Sequence, residues 1–220
     1  MKVLVVFPGW GTPKKLYQKL DLAVDQKKVI TDFNLIDLKE KLANYKQEQL
    51  IFCGWSLGAM RALKCLEYIS VDKLILLAPT LNFLENQPEI IVKKMKRNLK
   101  ANKLETLKDF TKLNFHQKNS YQNYIQQYQK YLKRLDSEKL KRGLDFLLTK
   151  DMTDLHIEQE LTPLIITGEE DQIIKNKSSK RVVDKFESSK YYTLSGVGHN
   201  LIYEAEERVN QIIKNYLYKA

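Results

Sequence analysis

The sequence predicts an α/β domain built on a mostly parallel sheet and interrupted, between its fourth and fifth strands, by a block of helices. Three observations lead there. Continuous apolar runs, of the kind found in a sheet covered on both faces, alternate with stretches of helical periodicity near both ends of the chain. Between Thr80 and Lys150 the strand-like runs vanish, and charged, Gln, Asn and Tyr residues take over at helical spacing. A Gly54-x-Ser56-x-Gly58 turn joins one apolar run to the helix that follows it.

In chain order, Lys2 to Phe7 (KVLVVF) reads as the first buried strand, broken by Pro8-Gly9-Trp10-Gly11-Thr12-Pro13. Lys14 to Ala23 can form a helix, and Lys28 to Phe33 reads as a second strand. Asp37 to Tyr45 reads as an amphipathic helix with Leu38, Leu42 and Tyr45 on one face. Leu50 to Cys53 is the strand before the glycine turn, and Ala59 to Glu67 the helix after it. Asp72 to Ala78 is a further strand, ended by Pro79. Three or four helices are expected in the insertion, where Tyr121, Tyr124, Tyr128 and Tyr131 fall on one helix face suited to packing against the body. Leu132, Leu135, Leu140, Leu144, Leu147 and Leu148 continue the helical spacing. Strands return at Thr162 to Gly168 and Lys190 to Leu194, with a helix at Ser178 to Phe186 and a closing helix at Ile202 to Tyr218.

At 220 residues and 43% hydrophobic content the chain suits one domain with a sizeable core. That core is assigned to 1–79 and 151–220, and the helical insertion to 80–150. No apolar run approaches the ~18 residues of a membrane span, and Met1 to Phe7 reads as a strand rather than a signal peptide. Cys53 and Cys65 suggest reduced core residues rather than a disulfide framework, which points to a cytoplasmic location. The net charge of +10 is concentrated: residues 81–150 hold 16 Lys+Arg against 7 Asp+Glu, whereas the other 150 residues hold 21 against 20. A basic block of this kind attracts an acidic partner or is a solvated lysine-rich surface.

The glycine turn carries the chemistry. With eight glycines and nine serines in 220 residues, about 0.01 matches to Gly-x-Ser-x-Gly are expected by chance. In a strand–turn–helix setting the pattern is a nucleophile elbow, with Ser56 held in a strained conformation and its hydroxyl above the sheet. The N–H of Leu57 then points at a developing oxyanion. A serine nucleophile needs a base and the base an orienting carboxylate. Of three histidines, His199 lies in a glycine-rich loop after the last strand, where parallel sheets place their sites. His116 lies in the insertion, and His156 reads as a structural residue in a helix with Leu155 and Leu161. For the acid, Glu169, Glu170 and Asp171 crowd one strand end and spacing does not choose among them; Asp151 and Asp154 are weaker alternatives.

The order Ser56, acid, His199, with a helical block after the strand that follows the elbow, resembles the α/β-hydrolase superfamily over nearly the whole chain. The resemblance implies that fold, with a mostly parallel sheet lacking the N-terminal hairpin and with the insertion acting as a helical lid. It also implies Asp171 as the acid, because the family places aspartate three residues after the glycine that ends this strand. Its second oxyanion donor would be the N–H of Trp10, although Phe7-Pro8-Gly9-Trp10-Gly11 has proline where histidine is usual. Gly9-Trp10-Gly11 together with Gly54-Trp55-Ser56-Leu57-Gly58 resembles the carboxylesterases that cleave pimeloyl-acyl-carrier-protein methyl ester in biotin synthesis. That likeness implies an acyl pocket formed by Trp10, Trp55 and Leu57 and a basic lid that holds acyl carrier protein. Arg97, Arg134, Lys141 and Arg142, with Lys93 and Lys94, are docking candidates by charge alone. The expectation is a serine carboxylesterase that needs neither metal nor organic cofactor, with an acyl thioesterase or general short-chain esterase as the alternative. A non-catalytic protein on this fold is disfavoured by the complete triad. A nucleic-acid binder is disfavoured because the basic block has no recognised motif with base-stacking spacing.

Overall fold

The computed structural model describes residues 1–43, 45 and 48–218. Six strands form one sheet: β1 (Lys2–Phe7), β2 (Gln26–Val29), β3 (Gln49–Trp55), β4 (Lys73–Leu77), β5 (Leu164–Gly168) and β6 (Lys190–Leu194). Their order is β2-β1-β3-β4-β5-β6 and every pairing in the sheet is parallel. The continuous apolar runs of β1, β3, β4 and β5 are buried on both faces. The polar strands β2 and β6 form the edges, where two of the four residues of β2 and three of the five of β6 are exposed.

Eight helices flank or follow these strands: α1 (Leu35–Ala43), α2 (Leu57–Cys65), α3 (Glu89–Leu113), α4 (Lys118–Leu132), α5 (Ser137–Thr149), α6 (Asn176–Val183), α7 (Leu201–Glu204) and α8 (Glu206–Tyr218). The helical insertion is α3 to α5, preceded by a short 3₁₀ turn at Phe83–Glu85. α3 bends at Asn102, whose backbone leaves the helical region (φ −152°, ψ 64°). The hydroxyl of Thr106 donates to the Asn102 carbonyl there (2.9 Å). The tyrosine face of α4 packs inward: Tyr124 and Tyr128 are buried against Tyr203 of α7, with ring centroids 5.3 and 6.1 Å away.

Four elements differ from expectation. The second strand is Gln26–Val29 rather than Lys28 to Phe33, because the register on β1 runs from Val3↔Gln26 to Val6↔Val29 and the last bond to β1 is from the Ile30 N–H to the Val6 carbonyl (2.9 Å). Phe33 instead turns inward against Phe7 (6.4 Å) and Phe146 (6.0 Å). Lys14 to Ala23 holds only a 3₁₀ helix, Lys14–Lys19. Its Tyr17 hydroxyl accepts from the Gly9 N–H and pairs with Thr12, both at 2.7 Å, which leaves little freedom for a longer helix. No helix contains His156, which is exposed in the crossing from α5 to β5. That crossing is tied down by Gln159, whose amide spans the Leu66 and Ile69 carbonyls and the Val71 N–H. The closing helix is two helices, split at Ala205 (φ −133°, ψ 36°).

The chain runs from β1 outward to β2, then returns to place β3 on the other side of β1. This reversal is the point at which parallel sheets open a crevice beyond the strand ends. Phe7 is in register with Gly54, so the loop after β1 and the turn after β3 leave the sheet side by side.

Candidate active site

The turn after β3 is built by steric exclusion. A Cβ on Gly58 would lie 1.8 Å from the Phe7 carbonyl oxygen, and one on Gly54 would lie 2.5 Å from the Gly58 carbonyl oxygen. With only hydrogens at both positions, α2 starts directly against β1. Ser56 takes φ +55°, ψ −117°, a conformation that costs about 1–3 kcal/mol. Its N–H donates to Leu77 (2.9 Å), and its carbonyl accepts from Ala59 (2.8 Å). Leu57 stands first in α2, so its N–H lies outside the helix's own hydrogen bonding. The Trp10 N–H has no protein acceptor among the described residues.

The loop after β6 brings His199 to the same edge. Its Nδ1 is 2.7 Å from Asp171 Oδ2, and the two side chains are 2% and 1% exposed. Asp171 is fixed in turn, since its Oδ1 accepts from the N–H groups of Ile173 (2.8 Å) and Ile174 (2.9 Å). Of the three carboxylates at the end of β5, this one faces the histidine. Glu169 and Glu170 are exposed, and their backbone N–H groups bond to Leu194 and Val197. Asp151 is exposed and bonded to Asn82, and Asp154 is exposed. His116 is exposed as well.

The two tryptophans occupy different surroundings. Trp55 is 1% exposed, with its ring between Tyr17 (6.4 Å) and His199 (5.6 Å) and its Nε1 donating to the His199 carbonyl (3.0 Å). It supports the histidine loop from within the core and does not line the cavity expected to hold an acyl group. Trp10 does line a cavity of about 270 Å³, together with Leu57, Ile30, Arg61, Arg134 and Leu140. The helical insertion covers it: Trp10 Nε1 donates to the Leu140 carbonyl (2.9 Å), and its ring meets Phe110 edge-on at 5.0 Å. Ser56 is 6% exposed.

The basic residues of the insertion do not form one surface. Arg97 and Lys141 share a groove of about 600 Å³ between α3 and α5 with Lys93, Lys96 and Lys100, opposed by Glu89 and Asp145. Arg134 is exposed at the mouth of the Trp10 cavity, and Arg142 pairs with Asp32 of the body (3.2 Å). Burial pushes the thiols of Cys53 and Cys65 up to about 12, which leaves both as unreactive packing groups.

Sequence reasoning missed two residues beside this site. Arg61 on α2 is half-buried at the cavity wall, and Glu204 accepts from the N–H of Gly198, next to His199 (2.8 Å). The one available signal was a cation at position 61 on a helix whose other inward positions, Leu57 to Cys65, are apolar.

A family model described as serine aminopeptidase, S33 (Hydrolase_4) matches residues 18–206. The chain belongs to that family. Hydrolase_4 membership and the six-stranded sheet place it in the α/β-hydrolase superfamily, as the resemblance implied. Solved structures agree on the fold. An esterase from Exiguobacterium antarcticum superposes with a TM-score of 0.83 at 17% identity, covering 98% of this chain and 91% of that one. MenH from S. aureus gives 0.78 at 18% identity, covering 98% and 93%. A bromoperoxidase from Bacillus anthracis gives 0.80 at 16% identity, covering 98% and 91%. No curated protein matches the sequence. These neighbours carry different names on one fold, so the reaction has to be argued from the site. No helix among the described residues of this Hydrolase_4 chain is long and apolar enough to cross a membrane.

Proposed function

We propose that this hydrolase is a serine carboxylesterase acting through Ser56, His199 and Asp171. The observation that carries the reading is the buried 2.7 Å pair of His199 and Asp171 at the sheet edge where Ser56 is held at positive φ. Asp171 holds the His199 Nδ1 proton and orients the ring, which leaves Nε2 to take the Ser56 proton as Oγ attacks the ester carbonyl. The tetrahedral oxyanion is received by the N–H groups of Trp10 and Leu57, worth about 3 kcal/mol each. His199 then protonates the leaving alcohol, and water attacks the acyl-enzyme by the reverse path. A thioester would use the same residues.

The finer substrate reading is an ester carried by acyl carrier protein, of the pimeloyl methyl ester kind. The groove between α3 and α5 supports it, because five cations there face two carboxylates. The insertion would serve as the lid, since it covers Trp10 and leaves Ser56 nearly enclosed.

Wild type and Ser56→Ala should be compared for fluorophosphonate labelling and for release of free acid from pimeloyl-carrier-protein methyl ester at low and high salt. Labelling that needs Ser56, and turnover of the carrier-bound ester that needs Ser56 and falls with salt, are expected. Equal labelling of the two proteins would remove the nucleophile. Turnover of a short p-nitrophenyl ester without turnover of the carrier-bound ester would keep the esterase and discard the carrier protein. Cleavage of amino-terminal peptide amides in preference to any ester would replace the esterase reading with the activity in the family's name.

A further inference from the structure

The cavity beside Trp10 contains a cation with no partner. Arg61 sits four residues after Leu57, one turn or about 6 Å along α2. Arg61 and Leu57 both line the wall of this cavity. Its Nε is buried with no hydrogen-bond partner among the described residues, and none of the ion pairs among them includes it. Its guanidinium instead lies against a pair of rings in edge contact, 5.0 Å from Phe33 and 5.7 Å from Phe146.

The carboxylate whose charge acts on Arg61, Asp32, is already committed to Lys139 (3.0 Å) and Arg142 (3.2 Å). Burial lowers the Arg61 pKa to about 10, which records a charge held at a cost but still present at neutral pH. The cavity wall as a whole carries Lys14, Arg61, Arg134 and Lys139 against one carboxylate, Asp136. Its remaining lining includes Trp10, Ile30, Leu57 and Leu140, which suits a short carbon chain. At about 270 Å³ it lies just below the usual range for small-molecule pockets.

We propose that this cavity is an anion subsite, in which Arg61 receives a carboxylate carried by the substrate a few carbons from the ester carbonyl. The proposal rests on the esterase reading for what the anion is attached to, but not for the anion itself, and it stands in place of the carrier-bound refinement, whose acyl chain ends in a thioester with no free carboxylate. The guanidinium fork matches the two carboxylate oxygens, and the anion would supply the partner that the fold withholds. The subsite takes no part in the covalent step; it selects which ester is presented to Ser56.

The first test is the ratio of kcat/KM for monomethyl adipate over methyl hexanoate, which differ in a terminal carboxylate against a methyl group. Monomethyl succinate and monomethyl pimelate bracket the length. The wild type should favour the carboxylate ester by about tenfold or more at its best length. Arg61→Gln should bring the ratio to about one, and Arg61→Lys should restore part of it, which an arginine serving only to pack against Phe33 and Phe146 would not do. A wild-type preference for the neutral ester, or a ratio that Arg61→Gln leaves unchanged, would overturn the proposal.

The second test is calorimetric titration of Ser56→Ala with monomethyl adipate, where adding Arg61→Gln should weaken binding by about tenfold. Equal binding by the two proteins would overturn the subsite. Arginine-dependent binding with no ester hydrolysed by the wild type would retain the subsite and discard the esterase. Inorganic phosphate displacing the monoester at lower concentration than acetate does would overturn the choice of a carboxylate.

Discussion

Gly58 and Ser56 divide one constraint between them. The close approach of α2 to β1 brings the Leu57 amide beside the loop that carries Trp10, and it requires that position 58 have no side chain. A methyl there would stand 1.8 Å from the Phe7 oxygen, 2.4 Å from the Phe7 carbonyl carbon and 2.8 Å from the Pro8 oxygen. All three are backbone atoms of a central strand and its exit, so no rotamer change relieves the clash. Gly58→Ala should therefore cost about 3 kcal/mol or more, measured by urea denaturation. A loss below about 1 kcal/mol would mean that α2 can lift away from β1 without penalty. Ser56 differs, because its strain lies in its own backbone and its hydroxyl is not needed for the turn. Removing the hydroxyl should leave the fold intact, which is what makes Ser56→Ala a clean test of chemistry.

Glu204 connects separate elements through backbone N–H groups. It ends α7, and its carboxylate accepts from Gly198 (2.8 Å), Gln117 (2.9 Å) and His116 (3.3 Å). The first lies in the histidine loop and the other two at the start of α4. The Asn200 N–H adds a second link, to the Asn114 carbonyl at the end of α3 (2.8 Å). Glu204→Ala would leave three N–H groups without an acceptor and cost about 2 kcal/mol of stability. With the His199 loop released, kcat should fall by about 10- to 100-fold with KM little changed. Steady-state kinetics beside a thermal melt would check it, and a melt that falls alone would confine Glu204 to holding the insertion. None of this was legible in the sequence, because Glu204 reads as one more acid in a closing helix and the break at Ala205 has no glycine or proline to announce it. Elements with strong local patterns were legible. β1 and β6 occupy the expected residues, and the elbow stands between the expected strand and helix. What failed depended on partners remote in sequence. β2 slid to Gln26–Val29 because β1 set its register, and Asp171 was separable from Glu169 and Glu170 by spacing only through a family likeness. Arg61 was visible as a residue but not as an unpaired one, since lack of a partner is a property of the packed molecule.

The whole molecule is closed over Ser56. α5 caps Trp10 through the Leu140 carbonyl, α3 packs Phe110 on the same indole, and Asp32 ties Lys139 and Arg142 to the body. The Asp32 pairs are largely exposed and worth about 0–1 kcal/mol each, so the indole contacts are the stronger latch. Ser56 is only 6% exposed in this arrangement, so under the proposed function an ester carried on a protein would need α5 to separate from Trp10. Gly143 is where that separation can be forced. A Cβ there would stand 2.8 Å from Trp10 Cδ1 and 3.2 Å from Leu57 Cδ2, so a large side chain at this position cannot be seated with the insertion closed. Gly143→Leu should wedge α5 away from the loop after β1, lower the melting temperature and raise the rate at which a fluorophosphonate labels Ser56. If the insertion were instead a rigid part of the core, the same substitution would displace Trp10 and its amide. Labelling would then slow, because the proposed oxyanion donor would be out of place. Opposite signs in one rate constant thus separate a mobile cover from a fixed wall.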